Sequence, residues 1–252
     1  AGSKYLVVAA LDAGQREGRI WSALAISEDE LRAAQGEHIT VEKALAWDVR
    51  RQGVVQRETE MLGALVLSER VSEPGDPAAA QTLLIDHLQK HWPEGLPWNE
   101  SAQQFLARAR RMAALFPDAD WPSLSDGELR ETLAVWLSPW LGTRLRLAQL
   151  ADLDLLECLK GCLSWDQQQQ LEAGLPTHFL TPAGSRRKID YQAEGAPRVA
   201  VPMQEVFGQS ETPLLAGGRQ PLVLELLNPA GRPIQVTADL ANFWSGAYVE
   251  VR

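Results

Sequence analysis

The sequence predicts an α+β protein in three consecutive parts: an N-terminal β-barrel over residues 4–73, a helical segment over 77–174, and a small α/β unit with β-hairpins over 175–252. Three observations carry that expectation. Short runs rich in β-branched and aromatic residues, broken by turn-forming residues, fill the first part. Apolar residues at helical spacing, opened by capping residues, fill the second. Alternating runs return after Pro176, separated by Pro182-Ala183-Gly184-Ser185 and Asn228-Pro229-Ala230-Gly231.

Composition sets the bounds. With 252 residues, 45% hydrophobic and 23% charged, the chain can bury one or two substantial cores, which argues against a disordered or fibrous class. No apolar run approaches the roughly 20 residues that span a bilayer, and no signal-peptide pattern precedes the first strand. A cytoplasmic location with no membrane partner is therefore expected. Ala1-Gly2-Ser3 reads as a cloning remnant and stays outside the fold reasoning. Cys158 and Cys162, the two cysteines, sit four apart in a helical pattern with no further Cys or His at metal-ligand spacing, so reduced core thiols are expected. The net charge of −9 divides into −3 for residues 1–74, −6 for 75–174 and zero for 175–252. A general polyanion binder is basic, so any nucleic-acid contact here must come from local patches.

In order along the chain, Tyr5–Leu11 and Arg19–Ile26 read as strands, with turn signals at Asp12-Ala13-Gly14 and Glu17-Gly18. Ser27 and Glu30 form a capping box for a short helix over Glu28–Ala34. Strands follow around His38–Leu45, Gly53–Glu60 and Met61–Leu67. Five strands and one small helix suit an OB-fold, and an SH3-like barrel fits the same pattern. Pro74-Gly75-Asp76-Pro77 marks a boundary, with Asp76 capping the next helix and Pro77 at its first position. Ala102, Phe105, Leu106, Ala109, Met112, Ala113 and Phe116 form a helical stripe, with Arg108, Arg110 and Arg111 placed off it. Ser125 with Glu128 and Ser164 with Gln167 read as further capping boxes, Leu124 with Leu129 as a staple, and Gly174-Leu175-Pro176 as a stop. Six of the nine tryptophans fall in this part, several beside prolines at helix ends, and read as packing plugs.

From Pro176 the first pair of alternating runs reads as a hairpin. On its return strand Arg187, Ile189 and Tyr191 share one face, and Arg186, Lys188 and Asp190 the other. Arg198–Val201 is a strand, Pro202 opens a short helix and Gly208 ends it. Leu222–Leu227 and Ile234–Thr237 are paired strands, and Thr237 caps a last helix carrying Leu240, Phe243 and Trp244.

The passage Pro176–Gly208, with Glu211-Thr212-Pro213 and Gly217-Gly218-Arg219 after it, closely resembles the C-terminal region of HrpB-type bacterial DEAH-box helicases. Trp47-Asp48 through Leu62-Gly63-Ala64-Leu65-Val66-Leu67-Ser68-Glu69 resembles that family's OB-fold, which selects an OB-like barrel over the SH3-like alternative. The resemblance covers residues 4–252. It implies a parent ATP-dependent RNA helicase with two RecA-like domains upstream, where ATP and Mg would bind, and a basic, aromatic-containing tail beyond Arg252. The 252 residues themselves contain neither Gly-x-x-x-x-Gly-Lys-Ser/Thr nor Asp-Glu-x-His, so no cofactor and no independent enzymatic activity are expected of them.

Candidate contacts to single-stranded RNA are Arg50, Arg51 and Arg57 in the first part, and the densest basic run, Arg186, Arg187 and Lys188, with the ring of Tyr191. Tyr5 and Trp47 are further available rings. The competing reading pairs these cations with Asp48, Glu58 or Asp190 as solvated surface. Ser185, His178 and Asp190 could be assembled as a hydrolytic triad, but Ser185 lies in ordinary turn chemistry without a strained elbow. The expected partners are single-stranded RNA and the helicase core in cis. The alternative is a scaffold that docks a protein partner through the acidic helical segment.

Overall fold

The alternation in the first part produces strands, arranged in two separate ladders. The structure, a computed structural model, describes residues 4–12 and 18–246. It divides into two compact units between Leu84 and Ile85. In the first unit, β1 (Tyr5–Asp12) and β2 (Arg19–Ile26) form an antiparallel ribbon in which Tyr5 faces Ile26. The turn expected at Ala13–Glu17 lies outside the described residues. Helix α1 (Glu28–Gln35) begins with the full capping box: Glu30 N–H donates to Ser27 Oγ at 3.2 Å, and Ser27 N–H donates to Glu30 Oε2 at 2.8 Å. A 3-10 turn over Gly36–His38 follows, so the next strand starts one residue later than expected. Strands β3 (Ile39–Asp48), β4 (Gly53–Leu62) and β5 (Leu65–Ser72) then form a three-stranded antiparallel sheet. The break expected after Glu60 lies instead at Gly63-Ala64, because a tight reversal needs positive φ and Gly63 supplies it at +57°.

The core of this unit is small. Tyr5, Leu31 and Leu67 are buried together, with Ile26, Ile39 and Leu62 packed against them. Much of the β1–β2 ribbon is left uncovered: Leu6, Val7, Leu11, Trp21 and Leu24 are all exposed. Among the described residues no strand pairing joins the two ladders into a closed barrel.

Helix α2 (Pro77–Lys90) starts as the sequence indicates, with Asp76 Oδ1 accepting the amides of Ala78 and Ala79 at 3.0 and 3.1 Å. The helices of the second unit follow. Asn99 caps α3 (Glu100–Leu115) by accepting Ala102 N–H at 2.9 Å. After it come α4 (Asp126–Glu131), α5 (Leu133–Leu141), α6 (Leu147–Leu150), α7 (Leu155–Lys160) and α8 (Trp165–Gly174). The α3 stripe buries Ala102, Phe105, Leu106, Ala109 and Met112 as expected. Arg108 departs from the expectation and is buried at 3% exposure. Position 108 is three after Phe105 and four before Met112, so it shares their face. Its guanidinium reaches the C-terminal turn of α8, donating to Leu175 O at 2.6 Å and pairing with Glu172 at 2.8 Å. A cation there meets carbonyls left without helical partners.

The Ser164–Gln167 box is complete. At Ser125 only half of it forms, because the Glu128 carboxylate is taken by the Ser123 hydroxyl. Leu124 and Leu129 are both buried, as a staple requires. Trp136 is a packing plug, buried with its indole N–H on Leu129 O at 2.9 Å, whereas Trp140 and Trp165 stand exposed. Cys158 and Cys162 are free thiols. Burial pushes both up to about 11, so they stay protonated near neutrality.

The last part forms a five-stranded sheet. Its strands are β6 (His178–Leu180), β7 (Arg186–Asp190), β8 (Arg198–Pro202), β11 (Val223–Leu227) and β12 (Pro233–Thr237), in the order β12-β11-β8-β7-β6. Two-residue strands β9 (Leu214–Leu215) and β10 (Gln220–Pro221) pair within the connection from β8 to β11. That connection makes β8 and β11 parallel, and the other pairings of the sheet are antiparallel. Ile189, Val199, Val201, Leu224 and Leu226 form its buried face. The helix after Pro202 is a 3-10 turn over Met203–Val206. Helix α9 (Leu240–Ser245) is capped by Asp239 rather than Thr237. The Thr237 hydroxyl instead accepts Asp239 N–H at 2.9 Å, two residues before the N-cap.

Candidate nucleic-acid interface

The β3–β4 turn positions Arg50 and Arg51. Asp48 Oδ1 accepts both of their backbone amides at 2.9 Å, an Asx-type closure, and those bonds, Arg51's first, hold the carboxyl below its ordinary range. Asp48 thus ties the backbone and leaves both side chains outward. Arg50 and Arg51 are exposed, and among the described residues no hydrogen bond or ion pair engages either guanidinium. Arg57 differs. Across the ladder from β5 it pairs with Glu69 at 2.8 Å.

In the second unit the β6–β7 hairpin separates its three cations by pleat. Arg186 and Lys188 are exposed, Ile189 is buried and Arg187 is half-buried, as the alternation indicates. Arg187 forms a two-pronged pair with Glu205 from the 3-10 turn, which raises the arginine and lowers the glutamate. Lys188 reaches Glu100 at the start of α3 at 2.7 Å. Arg186 has no such partner among the described residues. Asp190, the expected counter-charge for this run, is occupied by Gln104 and by the Gln192 amide.

Tyr191 is buried, its hydroxyl donating to Pro176 O at 2.7 Å, and that burial drives the phenol well above its usual range. Tyr5 is likewise buried, while Trp47 is half-buried in β3. Of the candidate RNA cations, Arg50, Arg51 and Arg186 form no side-chain hydrogen bond or ion pair among the described residues, although the Arg51 charge also acts on the Asp48 carboxylate beside it. His178 Nδ1 lies 3.0 Å from the Thr177 hydroxyl, and no hydrogen bond among the described residues links His178, Ser185 and Asp190. Nor do those residues hold a group of three or more His, Cys, Asp or Glu able to bind a metal ion. No helix among them is long and apolar enough to cross a membrane.

Sequence reasoning passed over one concave site. Trp92, Trp98, Arg110 and Arg111 line a cavity of about 770 Å³ beside α3. The Trp92-Pro93 and Pro97-Trp98 dipeptides are a visible signal, but they read equally well as helix-end packing.

Comparison with known proteins supplies the class. Residues 136–252 match the family model described as ATP-dependent helicase C-terminal, HrpB_C. The chain is also 35% identical over 237 residues to the ATP-dependent RNA helicase HrpB of Escherichia coli (strain K12), a match over 94% of this chain and 29% of that protein. Two solved structures agree. The E. coli DExH-box NTPase HrpB matches with a TM-score of 0.70 at 34% identity, and the Escherichia coli DEAH/RHA helicase HrpB with 0.67 at 31%. Each match covers 99% of this chain and 31% of the solved one. By these matches the chain is similar to the C-terminal region of HrpB-type ATP-dependent helicases, as the passage from Pro176 indicates. The chain spans under a third of the length of those relatives.

Proposed function

We propose that this region serves an ATP-dependent RNA helicase as an accessory module, with β1–β5 forming a partly open OB-like barrel that contacts single-stranded RNA in the cytoplasm. The ATP and Mg of such a protein would bind in its helicase core, on which this module acts in cis. The shared cluster of Tyr5, Leu31 and Leu67 supports the barrel reading, because it brings β1, α1 and β5 to one small core. The observation that carries the RNA reading is the β3–β4 turn, where Arg50 and Arg51 are exposed and neither guanidinium is hydrogen-bonded or ion-paired, the Asp48 carboxylate acting on Arg51 only through space. Two guanidiniums held open on a backbone-fixed turn suit phosphate contact. Arg186 adds a third open cation in the second unit. Arg57, Arg187 and Lys188 could reach RNA only by exchanging a carboxylate for a phosphate.

A second reading, docking of the helicase core or another protein, is favoured by the uncovered apolar residues of β1–β2. Fluorescence anisotropy with labelled single-stranded RNA separates the two. Arg50→Ala, Arg51→Ala and Arg186→Ala together should flatten the log–log salt slope by up to about 2, at about 0.7 per phosphate contact. All single-stranded sequences should weaken alike. An unchanged slope removes these arginines from the RNA site, and no binding at low salt favours the docking reading.

A further inference from the structure

The cavity beside α3 combines two features that seldom coincide in a packing defect. One wall is aromatic. Trp92 and Trp98 meet edge to face with ring centroids 5.6 Å apart, and the Trp98 indole N–H is fixed on Pro93 O at 2.9 Å. The rings are therefore held in place while both side chains remain only half-buried. The Tyr191 ring lines the same space, and its hydroxyl is already satisfied elsewhere.

The other wall is cationic, and its two arginines differ. Arg110 is neutralised: it pairs with Asp126 at 2.7 Å and donates to Leu124 O at 2.7 Å. Arg111 is not. Its two terminal nitrogens donate to neutral oxygens, Gln220 Oε1 at 3.0 Å and Gly195 O at 2.7 Å, and its buried Nε has no hydrogen-bond partner. Burial also pushes this guanidinium below its ordinary value, a cost that no carboxylate offsets. A half-buried cation without an anion, on the wall of an aromatic cavity, is short of a negatively charged ligand with a flat face.

We propose that this cavity binds a nucleoside phosphate, its base against Trp92 and Trp98 and its phosphate on Arg111. The volume, about 770 Å³, lies inside the roughly 300–1,000 Å³ typical of small-molecule sites. Stacking on indole accepts any base, and guanidinium suits phosphate. The ligand has two possible sources, a nucleotide within an RNA strand or a free mononucleotide. The strand source rests on the single-strand reading above. It is also local to the exposed hairpin, because Gln192 lines both this cavity and the one holding Lys188.

The test uses the whole chain with two probes, a labelled oligouridylate by anisotropy and AMP by calorimetry. Three variants are compared. Trp92→Leu removes a stacking face, Arg111→Gln removes the cation, and Ala114→Phe fills the cavity while leaving both walls intact. Circular dichroism identifies any that fail to fold, and Ala114→Phe, on an exposed position of α3, keeps the test open if the others do. Losing one stacked base weakens binding about five- to a hundredfold. Arg111→Gln should also flatten the salt slope for the strand by about 0.7.

Oligonucleotide binding that weakens in this way, with AMP unbound, assigns the cavity to a strand. AMP binding that Ala114→Phe abolishes, with no oligonucleotide binding, assigns it to a free nucleotide and overturns the single-strand reading. Wild-type affinity for both probes in folded Ala114→Phe and Trp92→Leu overturns the cavity proposal and leaves the single-strand reading standing. If neither probe binds the unmodified chain, both fall.

Discussion

Arg108 and Arg111 lie on one helix, three residues apart, and meet opposite fates. Arg108 points into the core and ends on the last carbonyls of α8, and Arg111 faces a cavity with only neutral acceptors. The stripe on α3 was legible in the sequence because five of its apolar members are buried, but a charged residue on that face is not read as core by a polarity rule. What the pattern lacks is the position of the α8 terminus, a tertiary fact that alone makes a buried guanidinium tolerable. This leads to a prediction that separates two bonds of one side chain. Arg108→Met keeps an apolar stem but strips the Leu175 carbonyl of its donor, and should cost about 1–3 kcal/mol for an unsatisfied buried acceptor. Glu172→Gln removes only the ion pair, whose carboxylate side chain is 56% exposed, and should cost no more than about 1 kcal/mol. Urea unfolding of the two variants gives the comparison. Equal losses would show that the ion pair, rather than the helix end, holds Arg108 in place.

Among the elements, alternation was the most reliable signal and strand partnership the least. The β6–β7 hairpin follows its pleat residue by residue, with Ile189 in and Arg186 and Lys188 out. The parallel pairing of β8 with β11 left no mark in the sequence, because it depends on the connection through β9 and β10 rather than on any local turn. The misplaced break in the first unit has a local cause. Met61 and Leu62 continue β4, so the apolar run gives no sign of a boundary, and the reversal is set by the one residue able to take positive φ. A Cβ on Gly63 would meet nothing within 4 Å, so substitution there has a conformational cost but no steric clash. Gly63→Ala should therefore destabilise by about 1–2 kcal/mol, and Gly63→Asn, which tolerates the left-handed region, by less. Thermal unfolding of both variants checks the order. An alanine as stable as glycine would mean that the turn relaxes to another type.

At the scale of the whole molecule, composition alone argued weakly against RNA, and the acidic balance gives no function. The class came from a passage-level resemblance that the structure and the comparisons then carried across nearly the full chain. The cavity was not legible because its lining comes from stretches far apart in sequence, from Trp92 to Gln192. The two units differ in what they bury. The second owns a large core of leucines from its helices and sheet, including Leu129, Leu133, Leu137, Leu155, Leu159 and Leu224, each at 1% exposure or less. The first rests mainly on Tyr5, Leu31 and Leu67, with Val54 and Val55 buried in β4, while much of its β1–β2 ribbon is uncovered. Residues 4–73 are proposed to form a domain that folds by itself, ending at the Pro74–Pro77 boundary, where Asp76 starts α2 afresh. A domain of about 70 residues is marginal at best. Its thermal transition should therefore be cooperative but lower than that of a protein comprising residues 77–252. Uncovered Leu6, Val7, Trp21 and Leu24 should also make it the stronger binder of an apolar dye. Circular dichroism of residues 4–73 decides the first point. A random-coil spectrum with no transition would mean that the five strands need the rest of the chain to fold.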